Sequence, residues 1–143
     1  MKARSAHAVL VVAVLATGCG EYQGASKGDF VAKGNAICES SGATVMPALK
    51  ELQREDVPPR GELRGFAGDV ALPALQQRVD ELRQLDPPSE DRGSVDEIIA
   101  STQKGIDQIR ADPAQLVDGD PFLQANADAR TYGLTSCVLR ADP

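Results

Sequence analysis

The chain has 143 residues, with 15 basic against 21 acidic side chains, a single histidine, two tyrosines, three phenylalanines and no tryptophan. That length suits one domain, and a formal charge of −6 argues against nucleic acid or anionic headgroups as partners, because both select a basic face. Five aromatic side chains are too few for the stacking platforms on which sugars or single strands are held.

The first twenty residues, MKARSAHAVLVVAVLATGCG, place Lys2 and Arg4 before an apolar run from Ala8 to Ala16 and then small residues. This is the layout of an export signal. The run is nine residues long, whereas a bilayer span needs about 20, and no later stretch is apolar enough to span a membrane. The segment Leu15-Ala16-Thr17-Gly18-Cys19 resembles the bacterial lipobox, with Ala16 where that motif usually carries leucine and Leu15 one place further back. The resemblance implies cleavage after Gly18 and a diacylglycerol group on Cys19, the only cofactor expected. Cysteine counting agrees: an exported chain with Cys19, Cys38 and Cys137 has an odd thiol to explain, and acylating Cys19 leaves two that can pair. Three segments follow: residues 1–18 a removed signal peptide, 19–25 the lipidated cysteine and its tether, 26–143 a helical domain. Without residues 1–18 the chain keeps 125 residues, loses His7, and carries 13 basic against 21 acidic groups, a formal charge near −8. The polar tether, fully extended, reaches at most about 25 Å, so the domain is expected close to the membrane surface.

From Ser26 onward, Phe30, Gly34, Ile37, Cys38, Ser41, Val45, Ala48, Leu49 and Leu52 recur at steps of three and four, one face of a long helix. Ser26 with Asp29 resembles a capping box using Asp for Glu, and Val57-Pro58-Pro59 excludes continuation. In the second segment Leu63, Phe66 and Val70 share one phase, and Leu72, Leu75, Val79 and Leu82 another. The slip next to Pro73 predicts a helix kinked or broken there, two shorter helices being the alternative. Ser89 is the expected cap of a third helix, with Glu90 and Asp91 at its positive end. Its stripe is Val95, Ile98, Ile99, Thr102, Ile106 and Ile109, closed by Asp112-Pro113. A fourth helix is expected from Asp120 as cap and Pro121 as first residue, with Phe122, Ala125, Ala129 and Tyr132 buried and Gly133 as C-terminal cap. No segment alternates with hairpin signals, so the expected fold is all-α: a compact four-helix bundle-like domain with one disulfide.

Cys38 on the first stripe and Cys137 near the end are most simply a disulfide in an exported protein. It closes a loop of about 100 residues, for which chain entropy gives about 4–5 kcal/mol. A redox pair would be closely spaced, as in C-x-x-C. With no histidine after residue 18, serine–histidine and cysteine–histidine nucleophiles are excluded and the commonest zinc ligand is absent. The acid pairs Asp80-Glu81, Glu90-Asp91 and Asp96-Glu97 read as solvated helix faces. Asp118-Gly119-Asp120 lacks the twelve-residue ligand pattern of a calcium loop and reads as a turn into a capped helix. No catalytic residue and no metal ligand is assigned.

Three stretches, Asp29-Phe30-Val31-Ala32-Lys33-Gly34-Asn35-Ala36-Ile37-Cys38, Leu82-Arg83-Gln84-Leu85-Asp86-Pro87-Pro88 and Ala129-Arg130-Thr131-Tyr132-Gly133-Leu134-Thr135-Ser136-Cys137, are similar to segments of small exported helical lipoproteins of actinobacteria. The resemblance runs over most of residues 26–137. It implies an all-helical fold and Cys38–Cys137 pairing, and brings no activity with it. The expected role is a lipid-anchored, non-catalytic binding module on the outer face of the cell membrane, engaging an envelope protein or a small ligand. The alternative is a small-ligand carrier or sensor with an apolar cavity between helices. A third reading, an envelope hydrolase, would need two carboxylates converging in a cleft, with Asp96-Glu97 as candidates.

Overall fold

The computed structural model describes residues 25–52, 54 and 58–139; Gly18, Cys19 and the tether up to Gly24 lie outside them. Every regular element among the described residues is helical, and none of these helices is long and apolar enough to cross a membrane.

Helix α1, Lys27–Leu52, follows the predicted stripe, burying Phe30, Gly34, Cys38, Val45 and Leu49. The Asp29 amide donates to Ser26 Oγ at 3.1 Å, and that hydroxyl donates to the Asp29 carboxylate at 2.8 Å. Half of a capping box therefore forms. Asp is a methylene shorter than Glu and meets the hydroxyl instead of reaching back to the Ser26 amide. Pro47 lies inside α1 on an exposed face, so the Ala43 carbonyl it leaves without a donor is open to water.

The phase slip at Pro73 has a defined structure. Helix α2, Arg60–Phe66, runs into a π turn, Ala67–Ala71, and then into α3, Leu72–Gln84. The Leu72 amide donates to the Ala67 carbonyl, five residues back. Pro73 has no amide, and its ring would crowd the carbonyl four residues before it in an ordinary turn. The wider turn inserts one extra residue instead, which moves the apolar stripe without the chain leaving the helical state.

Two predicted starts move. Ser89 begins a 3₁₀ turn, Ser89–Asp91, and its hydroxyl donates to the Glu90 carboxylate at 3.1 Å, so it does not cap. Helix α4, Arg92–Ala111, begins after it and buries all six expected stripe residues plus Gly105. The short helix α5, Gln115–Asp118, was not expected. Helix α6, Leu123–Tyr132, starts two residues later than the Asp120-Pro121 signal, because Asp120 to Phe122 make a turn closed by the Leu123 amide on the Asp120 carbonyl at 3.2 Å. Its C-terminus is as predicted. Gly133 has φ +107°, the Leu134 amide donates to the Ala129 carbonyl at 2.8 Å and the Gly133 amide to Arg130 at 3.2 Å, the two bonds of a Schellman cap. A 3₁₀ turn, Thr135–Cys137, then lies against α1.

Helices α1, α3, α4 and α6 pack in the order α1–α3–α4–α6, with the C-terminal turn returning to α1. Most of the buried apolar residues form one core that includes Phe30, Leu75, Val79, Ile106, Ile109 and Leu134. Val45, Leu49, Phe66 and Ala71 form a second, smaller core at the far end of α1, and Leu116 of α5 packs against both. Gly105 permits the close α4–α6 approach: a Cβ there would lie 2.5 Å from the Phe122 ring and 2.7 Å from the Pro121 carbonyl oxygen.

Candidate functional site

The sequence stripes bring Cys38 and Cys137 together as expected. They form a disulfide across 99 positions with Cα atoms 4.8 Å apart, and Cys38 is fully buried. The segment that carries Cys137 is also held by two side-chain amides. Asn35 accepts from the Ser136 amide at 2.9 Å and donates to the Gly133 carbonyl at 3.2 Å. Asn126 accepts from the Leu139 amide at 2.7 Å and donates to the Leu139 carbonyl at 3.0 Å. Each amide satisfies backbone that leaves the last helix without a ladder of its own.

Beside the disulfide lies a group that the sequence reading did not single out. Arg78 is 2% exposed. Its Nη2 donates to the Cys38 carbonyl at 3.1 Å, Nη1 to the Cys137 carbonyl at 3.4 Å, and Nε to Ser41 Oγ. It enters none of the ion pairs among the described residues, and burial pushes its ionisation down to about 10. The guanidinium fork thus reads the two backbone carbonyls that flank the disulfide, one from each end of the chain. Position 78 falls between Leu75 and Leu82 on the buried face of α3, where a charge stands out on a helical wheel.

Two clefts flank this centre. The polar one, about 260 Å³, lies between α1 and the π turn with α3, with Ser40, Ser41 and Thr44 on one wall and Asp69, Gln77 and Glu81 on the other. The other, about 330 Å³, opens between the C-terminal half of α1, the π turn and the α5–α6 segment. Its walls carry the apolar side chains of Val45, Met46, Leu49, Leu75 and Leu116, with the Gly119-Asp120 segment adding polar surface. Ala71, the last residue of the π turn, is fully buried behind this lining. Met46 stands at the rim, partly exposed. The α5 strap that covers one side is held by local backbone bonds, such as Gln115 to Asp112 at 3.1 Å and Asp118 to Ala114 at 2.9 Å.

The predicted acid pairs stay apart from both the disulfide and the apolar cleft. Asp80 engages Arg83 and Gln76, each at 3.3 Å; Asp96 and Glu97 are exposed on α4. Asp91 serves packing instead: it accepts from Tyr132 Oη at 3.0 Å, with Lys27 Nζ 3.7 Å away and 4.3 Å above the Tyr132 ring centroid. Burial first, then the hydrogen bond and charge of Asp91 and the charge of Glu90, push the Tyr132 phenol up to about 12. Asp118 and Asp120 are exposed, and no group of three metal-ligating side chains occurs among the described residues. Comparison with known protein families, curated sequences and solved structures finds no match for this chain.

Proposed function

We propose that the protein is a lipid-anchored extracytoplasmic binding module, tethered through Cys19, whose helical domain takes up small apolar molecules in the cleft between α1, the π turn and α5. The cleft carries this reading. Its volume, about 330 Å³, falls within the ~300–1,000 Å³ typical of ligand sites, and aliphatic side chains supply most of its lining residues. The anchor rests on the export signal, the lipobox-like residues before Cys19 and the even cysteine count that acylation leaves. Held on a short tether, such a domain would meet apolar molecules at the membrane surface.

The test is a titration of the whole chain with N-phenyl-1-naphthylamine, an uncharged fluorophore that brightens when it leaves water. Saturable binding is expected, weakened at least tenfold by Val117→Trp and by Met46→Trp, two partly exposed lining positions from which a larger side chain fills the cleft. Absence of saturable binding, or binding untouched by both substitutions, refutes the reading. Anchoring is tested separately: Cys19→Ala should abolish labelled palmitate incorporation and release the protein from membranes.

A further inference from the structure

The geometry points to a ligand class for the apolar cleft: a molecule with an apolar body and a cationic amine, its ammonium group received by Asp120. The inference rests on the cleft being a ligand site and adds which end of the ligand is recognised. Among the described residues that line the cleft, Asp120 is the one charged side chain. The others are aliphatic or aromatic side chains, Pro121 and the Gly119 backbone. Asp120 is exposed and belongs to none of the ion pairs among the described residues. Its position follows from the local fold. The turn from Asp120 to Phe122 opens α6, and the Gly105 contact with Pro121 and the Phe122 ring fixes that turn against α4. Asp120 therefore lines the cleft from a turn packed against α4, and it also borders a neighbouring cleft that holds Lys104.

A ligand whose apolar body fills the space between Leu49 and Leu116 leaves its polar end beside Asp120. An ammonium group there gains a partly hydrated ion pair. A carboxylate or sulfonate there meets a like charge, with Asp118 close by in the chain. A half-exposed pair contributes modestly, and the opposite sign costs a comparable amount, so a matched cation and anion should differ about fivefold in affinity at low salt.

The experiment compares 1-naphthylmethylamine with 1-naphthylacetate on the whole chain: the same aromatic body, opposite charge. The amine should bind about fivefold tighter at low ionic strength, with the ratio falling toward unity at about 1 M salt. Asp120→Asn should bring the ratio close to one. Glu90→Gln, at the opposite end of α1 beside the Lys27 contact, should leave the ratio unchanged. A ratio of one in the unaltered protein, a ratio that survives Asp120→Asn, or a ratio that Glu90→Gln lowers equally overturns the assignment to Asp120. In each of these cases binding of the neutral fluorophore still reports the cleft itself. If that fluorophore does not bind either, the cleft is not a ligand site and the amine assignment falls with it.

Discussion

Replacing Arg78 by alanine should destabilise the domain by about 5 kcal/mol, and replacing it by methionine by about 3 kcal/mol. The guanidinium makes three hydrogen bonds, to the Cys38 and Cys137 carbonyls and to Ser41 Oγ. Hydrogen bonds from a charged group contribute about 1.5–3 kcal/mol each, roughly 6 kcal/mol together. Against this stands the burial of a charge without a carboxylate partner. The fall from 12.5 to about 10 corresponds to about 3 kcal/mol against the charged form. The net contribution of the head group is therefore about 3 kcal/mol, with no change across neutral pH, where the group is protonated whether folded or not. Alanine also removes the buried stem, about 2 kcal/mol at ~0.8 kcal/mol per methylene; methionine keeps that packing. The assay is guanidinium denaturation followed by far-ultraviolet circular dichroism, with the disulfide verified intact by mass. An alanine variant within about 1 kcal/mol of the parent, or a methionine variant more stable than it, would show that the buried charge costs more than its hydrogen bonds return.

Three further outcomes are expected. Removing the disulfide by Cys38→Ala with Cys137→Ala should cost about 4–5 kcal/mol, because the bridge closes a loop of 99 positions; a loss of unfolding free energy below about 1 kcal/mol would contradict this. Gly105→Ala should destabilise by about 1–2 kcal/mol, since the contact with the Pro121 carbonyl cannot yield. Gly42→Ala, with nothing near its Cβ position, should stabilise by about 0.5–1 kcal/mol through helix propensity, so the two alanines should move thermal melting in opposite directions. Tyr132 holds its proton up to about 12 when folded, against 10.0 ordinarily. The unfolded chain thus releases that proton first, and the contribution is constant below pH 10 and lost between about pH 10 and 12. Ultraviolet absorbance should follow this ionisation, and Asp91→Asn should bring it part of the way back to the ordinary value.

The parts of the fold that sequence reading captured are those set by period and by backbone chemistry. The α4 stripe from Val95 to Ile109 is buried throughout, and Gly133 takes the positive φ that its place after Tyr132 required. The Cys38–Cys137 bridge followed from counting thiols. What sequence reading missed depends on distant partners. Ser89 and Asp120 carry the chemistry of helix caps, yet each lies in a turn that precedes its helix, because the neighbouring prolines also favour turns. The slip at Pro73 was visible, but a π turn and a kink leave the same mark on a stripe. Arg78 could be recognised as a charge on an apolar face, but its partners are backbone carbonyls, which carry no side-chain signature. The apolar cleft has no local signal: Leu49 reads as an ordinary stripe position, Leu116 falls in the connection between the third and fourth helices, and the space beside them depends on how distant segments pack.

The most direct measurement is a heteronuclear NMR titration of the whole chain with N-phenyl-1-naphthylamine, following side-chain methyl groups. Saturating shifts should concentrate on Val45, Leu49, Ala71, Leu75 and Leu116, with Val95, Ile98 and Ile109 in the main core unmoved. Shifts spread evenly over the surface, or centred on a face away from the α1–π turn–α5 cleft, would contradict the proposed site.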